Sequence, residues 1–197
     1  MKNCLVIVDL QNGFMNENTV HLPHKITEFI LCHNTFDSIV ATRYCNTSET
    51  ACFRFGGWKE CMSGSFASEL VSDITPYVMR TFDKTTYSGL TSEFRNFIKN
   101  ECFDKLYFCG VNTDCCVLAT VFSCYDSVQD CAVISDLCAS TLGEEKHRNA
   151  IELLKDNITA ERVVESCNIP VKRSSDVLLL VLVCLDYIAD ILLHFFS

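Results

Sequence analysis

A cysteine lies where the chain turns from an apolar, strand-like run into a helix. Residues 110–117 read Gly-Val-Asn-Thr-Asp-Cys-Cys-Val, and Cys116 falls within the predicted turn. The first N–H groups of a helix are unpaired and carry a partial positive charge, so they favour a thiolate over a thiol and can bind an oxyanion. The position of Cys116 therefore indicates a nucleophile for acyl transfer.

Two ionisable residues that could assist this cysteine follow other strand-like runs. Asp9 follows the apolar run 4–8, and Lys84 comes just after the run 77–82. The unbroken apolar run 4–8 is typical of a strand buried on both faces, as in a parallel sheet, where ligands gather at the carboxyl ends of the strands. All three ionisable side chains are therefore expected to converge at one edge of such a sheet.

Apolar runs and amphipathic stretches alternate along the whole chain. The apolar runs predict strands at 4–9, 38–44, 77–82, 105–110, 130–135 and 162–165. The amphipathic stretches predict helices at about 24–33, 89–100, 115–127 and 144–157. This alternation indicates right-handed crossovers and a sheet covered on both faces. We predict an α/β fold of three layers, α/β/α, with a mostly parallel six-stranded sheet.

Three segments of the chain, in order, resemble the isochorismatase-like cysteine hydrolases. They are Val-Asp-Leu-Gln-Asn-Gly-Phe at 8–14, Lys-Thr-Thr-Tyr-Ser at 84–88, and the turn at 110–117. The resemblance extends from about residue 4 to about residue 165, and the three segments together are a specific signal. It implies the isochorismatase-like hydrolase fold.

The resemblance also implies a catalytic triad of Asp9, Lys84 and Cys116. In the expected mechanism Asp9 takes the thiol proton, Lys84 stays charged and stabilises anionic forms, and Cys116 attacks a carbonyl carbon to form a thioester that water hydrolyses. The family places a non-proline cis peptide before the nucleophile's turn, here between Val111 and Asn112. The backbone N–H groups of Asn112 and Cys116 would then meet the developing oxyanion.

One departure from the family narrows the expected reaction. Nicotinamidase-like relatives carry an Asp-x-His pair after the second strand that helps to bind a metal, whereas this chain has Arg43-Tyr44-Cys45-Asn46 there. We expect no metal and no cofactor. Isochorismatases proper, which hydrolyse vinyl ethers, generally lack the nucleophilic cysteine, so Cys116 favours cleavage of an amide, imide or carbamoyl C–N bond in a small metabolite. The alternatives are a vinyl-ether hydrolase and a catalytically silent member that acts in assembly or partner binding.

The residues that bind the substrate are less sharply indicated. Phe14, Tyr44, Trp58 and Tyr87 are candidate pocket walls, and Arg43 could form a bidentate pair with a substrate carboxylate. Each has an equally good structural interpretation, because aromatic side chains fill cores and arginines form surface ion pairs. The irregular stretch 45–75 is long enough to cap the site or to form a subunit contact.

Composition excludes several other classes of protein. The net charge is −9 with a pI near 4.9, and no cluster of lysine and arginine is long enough to follow a phosphate backbone, so we expect no nucleic-acid partner. The N-terminus lacks the apolar stretch of a secretory signal, and the fourteen cysteines are scattered, which favours a cytoplasmic protein with reduced thiols. Cys115, about 100° around the helix from Cys116, is interpreted as a packing residue.

The C-terminal segment 176–197 forms a second predicted unit after a hydrolase domain at 1–175. Residues 177–185 are continuously apolar, and Asp186, Asp190 and His194 recur every four residues as a polar stripe. Two acids within the segment make membrane insertion marginal. A helix that docks on the domain or forms a homo-oligomer is favoured, and a membrane anchor through 177–196 or a dispensable extension are the alternatives.

Overall fold

One sheet of six parallel strands organises the part of the chain that the structure describes. The computed structural model describes residues 1–33 and 35–171. The strands are β1 (Asn3–Val8), β2 (Ser38–Tyr44), β3 (Arg80–Lys84), β4 (Lys105–Val111), β5 (Cys131–Ala139) and β6 (Val163–Val164). They lie in the order β3-β2-β1-β4-β5-β6, and every neighbouring pair is parallel. The predicted fold class is confirmed.

Helices connect the strands as the amphipathic stretches predict. They are α1 (Leu22–Cys32), α2 (Ala51–Arg54), α3 (Ser92–Glu101), α4 (Leu118–Asp126) and α5 (Glu144–Ile158). The short helix α2 lies inside the stretch predicted to be irregular. Strand β3 begins three residues later than expected, because Thr75–Tyr77 forms a 3-10 turn with Pro76 in its first positions.

The order of the strands creates a cleft between β1 and β4. From β1 the chain proceeds outward through β2 and β3, and from β4 it proceeds in the opposite direction through β5 and β6. With right-handed crossovers this reversal places α1 on one face of the sheet and α4 and α5 on the other. Ligands of such sheets bind at the carboxyl ends of the strands where the order reverses. Asp9 follows β1 directly at this point, and the turn that carries Cys116 follows β4.

Gly110 allows the two central strands to approach each other at the cleft. Its φ is +112°, and a Cβ atom placed there would lie 2.2 Å from the carbonyl oxygen of Val8. We therefore expect Gly110→Ala to lower the free energy of unfolding by about 3 kcal/mol or more, measured by urea denaturation. Gly64→Ala is the matched control, since its φ is +79° but nothing lies within 4 Å of the added carbon. That control should lose only about 1–2 kcal/mol from backbone strain. Equal losses in both variants would contradict the steric explanation.

The predicted C-terminal unit, residues 176–197, lies outside the described residues. The domain boundary at residue 175 and the docking or oligomer-forming role of this unit therefore stay predictions. Within residues 1–33 and 35–171, none of the helices is long and apolar enough to cross a membrane.

Candidate active site

A buried ion pair forms the base of the site. The ammonium of Lys84 lies 2.7 Å from Oδ2 of Asp9, and both side chains are 0% exposed. Asp9 follows β1, and Lys84 ends β3, two strands away. The intervening strand β2 contributes Thr42, whose hydroxyl donates a 2.7 Å hydrogen bond to Oδ1 of Asp9. The three adjacent strands therefore hold the carboxylate in one orientation.

The ammonium of Lys84 is held by the loop that follows its own strand. It donates hydrogen bonds to the carbonyl oxygens of Thr86 (2.9 Å) and Tyr87 (3.0 Å), and it lies 5.1 Å from the centre of the Tyr44 ring. Burial alone would lower the pKa of Lys84, but attraction to Asp9 and to the Cys116 sulfur outweighs it and raises the pKa. Lys84 is therefore a fixed positive charge at neutral pH.

Cys116 lies in a tight turn between β4 and α4. Residues Thr113–Val117 form a single π-helical turn, and the peptide bond between Val111 and Asn112 is cis, as the resemblance implied. The backbone N–H groups of Cys115 and Val117 both donate to the carbonyl of Asn112, at 3.0 and 3.1 Å. The N–H of Cys116, between them, does not donate to this carbonyl. The side chain of Asn112 is held in place because its Oδ1 accepts a 2.7 Å hydrogen bond from the N–H of Thr141.

The thiol of Cys116 belongs to the same cluster as the ion pair. Its sulfur is electrostatically coupled to both Lys84 and Asp9, and the residue is 5% exposed. A hydrogen bond with the Cys115 thiol, burial, and the charge of Asp9 raise the pKa of Cys116 well above its usual value, whereas Lys84 lowers it. The expected mechanism likewise starts from a thiol whose proton Asp9 takes. The partial charge at a helix N-terminus is outweighed by desolvation and by the carboxylate, so Cys116 is a thiol that needs a base.

A cavity of about 460 Å³ opens above Cys116. Its walls are Gly13, Phe14, Met15, Asn16, Tyr44, Cys52, Gly56, Trp58, Tyr87, Asn112, Cys115, Cys116 and Thr141. The four aromatic side chains predicted as pocket walls are all among them. Two of these, Phe14 and Trp58, stack nearly parallel with an interplanar angle of 8° and ring centres 5.8 Å apart. Trp58 comes from the irregular stretch after β2, which therefore forms part of the wall.

Arg43, the fifth predicted substrate residue, lies outside the cavity. Successive side chains of a strand point to opposite faces, so Arg43 points away from the face that carries Thr42 and Tyr44. Its guanidinium binds Asp83 through two hydrogen bonds and also pairs with Glu69. Arg43 thus forms the surface ion pairs that its alternative interpretation predicted, and a role in binding a substrate carboxylate has no support from its position.

Cys115 is more than a packing residue, because it lines the cavity. The regular helical spacing used to place it does not hold in a π-helical turn. Three further residues of the site were not predicted: Thr42, which bonds to Asp9, Gln11, whose amide binds the backbone of Tyr44, and Cys52, which lines the cavity. Gln11 lies in the motif after β1, and the alternation of β2 puts Thr42 beside Tyr44, so both carried a signal in the sequence.

The side chains after β2 do not form a metal-binding set. Asn46 donates hydrogen bonds to the carbonyls of Trp58 (2.9 Å) and Glu60 (3.0 Å) and accepts one from the hydroxyl of Thr50. The Asn46 amide therefore stabilises the loop that forms the cavity wall. Among the described residues no three histidine, cysteine or acidic side chains are grouped so that they could hold a metal ion. The residues present do not fit the metal of nicotinamidase-like relatives.

Comparison with known families identifies the class of protein that this fold and site define. The model of the isochorismatase domain matches residues 3–164, so the chain belongs to the isochorismatase family of hydrolases. A search of curated protein sequences finds no significant match.

Solved structures with the same fold include several named amide hydrolases. The chain is similar to N-carbamoylsarcosine amidase from Thermoplasma acidophilum (20% identity, TM-score 0.75, covering 86% of this chain and 99% of that one). It is also similar to nicotinamidase PncA from Bacillus subtilis (21%, 0.70, 84% and 100%). A third structure is PnC1 from L. infantum in complex with nicotinate (18%, 0.76, 87% and 96%). At these identities the likeness shows the fold.

Proposed function

We propose that this protein is a cysteine amidohydrolase that cleaves a C–N bond of a small, uncharged amide, imide or carbamoyl compound through a thioester. The observation that carries the proposal is the fully buried Asp9–Lys84 pair, 2.7 Å apart, beside the Cys116 thiol at the floor of a cavity. The names of the structural relatives, an amidase and a nicotinamidase, support the same reaction class.

Asp9 is the base of the first step. Its Oδ1 is occupied by the hydroxyl of Thr42, whereas Oδ2 has the ammonium of Lys84 as an ion-pair partner but no hydrogen bond of normal geometry from the described residues. Oδ2 can therefore accept the thiol proton as the sulfur of Cys116 attacks the carbonyl carbon. Because the pKa of Cys116 is raised, the thiol keeps its proton at neutral pH until this base removes it.

Charge that develops on the substrate oxygen is met by the backbone at the start of the π-helical turn. The N–H groups of Asn112 and Cys116 are the proposed donors, and the hydrogen bonds of Asn112 to Thr141, Cys115 and Val117 keep this backbone in place. Donors fixed before the reaction stabilise the transition state without reorganisation, and the loss of one typically costs about 2.7–4 kcal/mol.

Collapse of the tetrahedral intermediate expels the leaving nitrogen, which takes the proton that Asp9 received. The acyl group then remains on Cys116 as a thioester. A water molecule, deprotonated by the same carboxylate, attacks the thioester carbonyl, and the thiol regains its proton. Lys84 stays charged throughout because its pKa is raised.

The walls of the cavity determine which amides fit. No side chain among the residues that line it is charged, and the stacked pair Phe14 and Trp58 provides a flat apolar wall. A charged substrate group would lose its hydration without gaining an ionic partner. Small, neutral and preferably planar amides are therefore the substrate class to test.

The test is an assay of ammonia release across neutral carboxamides, cyclic imides and carbamoyl compounds, with Cys116→Ala as the blank. Turnover by the wild-type protein, absent from the blank, is the expected result. Turnover that the variant retains would contradict the assignment of the nucleophile, and preferential cleavage of a vinyl ether would overturn the reaction class.

We expect hydrolysis to survive removal of metal ions, because Asn46 is engaged in the cavity wall and the catalytic groups proposed here are side chains and backbone N–H groups. Activity after dialysis against EDTA should stay within about twofold of the untreated protein, a change worth less than about 0.5 kcal/mol in the barrier. The control is the same dialysis with zinc or iron added back. Activity lost with EDTA and restored by either metal would overturn the metal-free mechanism.

A further inference from the structure

The side-chain amide of Asn112 is held in one orientation beside the proposed oxyanion site. Its Oδ1 accepts the 2.7 Å hydrogen bond from the N–H of Thr141. Because a backbone N–H can only donate, the amide atom that faces it must be the oxygen. The amide nitrogen, Nδ2, therefore points away from this N–H.

The residue that holds the Asn112 amide is itself fixed. The carbonyl oxygen of Thr141 accepts hydrogen bonds from the side-chain amides of Asn16 (2.9 Å) and Asn18 (3.2 Å). Segments that follow β1, β4 and β5 therefore meet at Thr141. A donor supported in this way loses little freedom when it binds a ligand.

Nδ2 of Asn112 is a hydrogen-bond donor without a partner among the described residues. It is not one of the buried polar atoms left unpaired, so it is accessible, and Asn112 lines the cavity above Cys116. Both oxygens of Asn112 are occupied, because its carbonyl accepts from Cys115 and Val117 and its Oδ1 accepts from Thr141. The polar groups that Asn112 can offer to a molecule in the cavity are therefore its backbone N–H and Nδ2.

We propose that Asn112 selects substrates by donating a hydrogen bond from Nδ2 to a second carbonyl oxygen next to the reacting carbonyl. This role rests on the proposed function, which assigns the backbone N–H of the same residue to the oxyanion. Only the bonds of one short side chain separate the two donors. The acceptor on Nδ2 therefore lies beside the reacting carbonyl rather than at the far end of the cavity.

The acceptor that suits Nδ2 is a neutral oxygen. No side chain among the residues that line the cavity is charged, so a carboxylate would lose its hydration in return for one neutral hydrogen bond. A carbonyl group loses less hydration, and an amide N–H can replace the lost contact with water. The substrate class is thereby narrowed from amides in general to imides and acylated ureas, which carry a second carbonyl on the nitrogen of the cleaved bond.

The test compares two probes that differ by one carbonyl oxygen. Succinimide and 2-pyrrolidinone are rings of the same size, and only succinimide has a second carbonyl beside the ring nitrogen. Both are titrated by calorimetry into protein that carries Cys116→Ala, so that neither is consumed and binding is measured apart from turnover. We expect succinimide to bind about 10-fold more tightly, as one added hydrogen bond allows.

Two changes at Asn112 separate the donor from the support of the loop. Asn112→Asp keeps an oxygen for the N–H of Thr141 but replaces Nδ2 by an acceptor, so the ratio of the two affinities should fall to about one or below. Asn112→Ala removes both atoms and should also bring the ratio to about one. Asn18→Ala is the matched control, because it removes a hydrogen bond to the Thr141 carbonyl and leaves Asn112 intact. In this control the preference for succinimide should persist.

Three results would overturn the role of Asn112. They are a preference that either Asn112 variant retains, a preference that the Asn18 control also loses, and no preference in the starting protein, which includes no binding at all. Selectivity that depends on Asn112 alone, combined with no hydrolysis of any amide, imide or carbamoyl compound by the protein with Cys116 intact, would contradict the proposed function instead. The role of Asn112 in recognition would then stand.

Discussion

Replacement of Cys116 by alanine is expected to lower kcat for amide hydrolysis by about 10,000-fold or more, because no other group in the mechanism can form the thioester. The fold should persist, since the change removes one sulfur atom from a side chain at the floor of an open cavity. The measurement is steady-state ammonia release, with circular dichroism and the melting temperature as checks on folding.

Cys115→Ala is the matched control for the nucleophile. Cys115 adjoins Cys116 and lines the same cavity, so its replacement alters the surroundings of the reaction without removing the attacking sulfur. We expect the variant to retain activity within about 10-fold, a change of less than about 1.4 kcal/mol in the barrier, because the mechanism assigns the Cys115 thiol no step. Acid quenching during turnover should also trap an acyl group on the peptide that contains Cys116. Equal losses in both variants, or an acyl group on Cys115, would show that the nucleophile is wrongly assigned.

Lys84→Met is expected to have the largest effect on stability. It leaves the carboxylate of Asp9 fully buried without its cation, and the breaking of a buried pair in this way costs about 3–5 kcal/mol. For a chain of this size the melting temperature should fall by roughly 6–20 °C. Activity should also fall by about 100-fold or more, because the charge that stabilises the anionic sulfur is lost.

A double variant separates the charge from the shape of the side chains. Asp9→Asn combined with Lys84→Met removes both charges and keeps an oxygen that can accept from Thr42, so it should recover much of the lost stability while it stays inactive. A double variant no more stable than Lys84→Met would contradict an uncompensated charge as the cause of the loss.

The pH dependence of stability gives a second check on the pair. Because the pKa of Lys84 is raised in the folded protein, its contribution to stability is complete below the usual lysine pKa. That contribution is lost only as the pH rises through the raised value. The difference in unfolding free energy between wild type and Lys84→Met should therefore be constant from neutral pH to about pH 9. A difference that falls between pH 7 and pH 9 would count against the explanation.

Much of this protein could be predicted from the amino-acid sequence by itself. The apolar run of β1 has the length and lack of alternation of a strand buried on both faces, and the alternation of strands with helices indicates parallel pairing. Since parallel strands end at one edge, the order of Asp9, Lys84 and Cys116 along the chain was enough to predict that they meet. The aromatic walls at Phe14 and Trp58 were also predicted.

Only the tertiary structure decided which neighbours each of these groups has. Alternation along β2 implies that Arg43 and Tyr44 point to opposite faces, but which face meets the cleft depends on the pairing of β2 with β1 and β3. The pKa of Cys116 likewise depends on burial and on charges brought from distant parts of the chain, and these outweigh the local effect of a helix terminus. Local residue patterns determine the helices and strands and their order along the chain. The electrostatics and hydrogen bonding of the site depend instead on many contacts between distant residues, which exist only after the chain has folded.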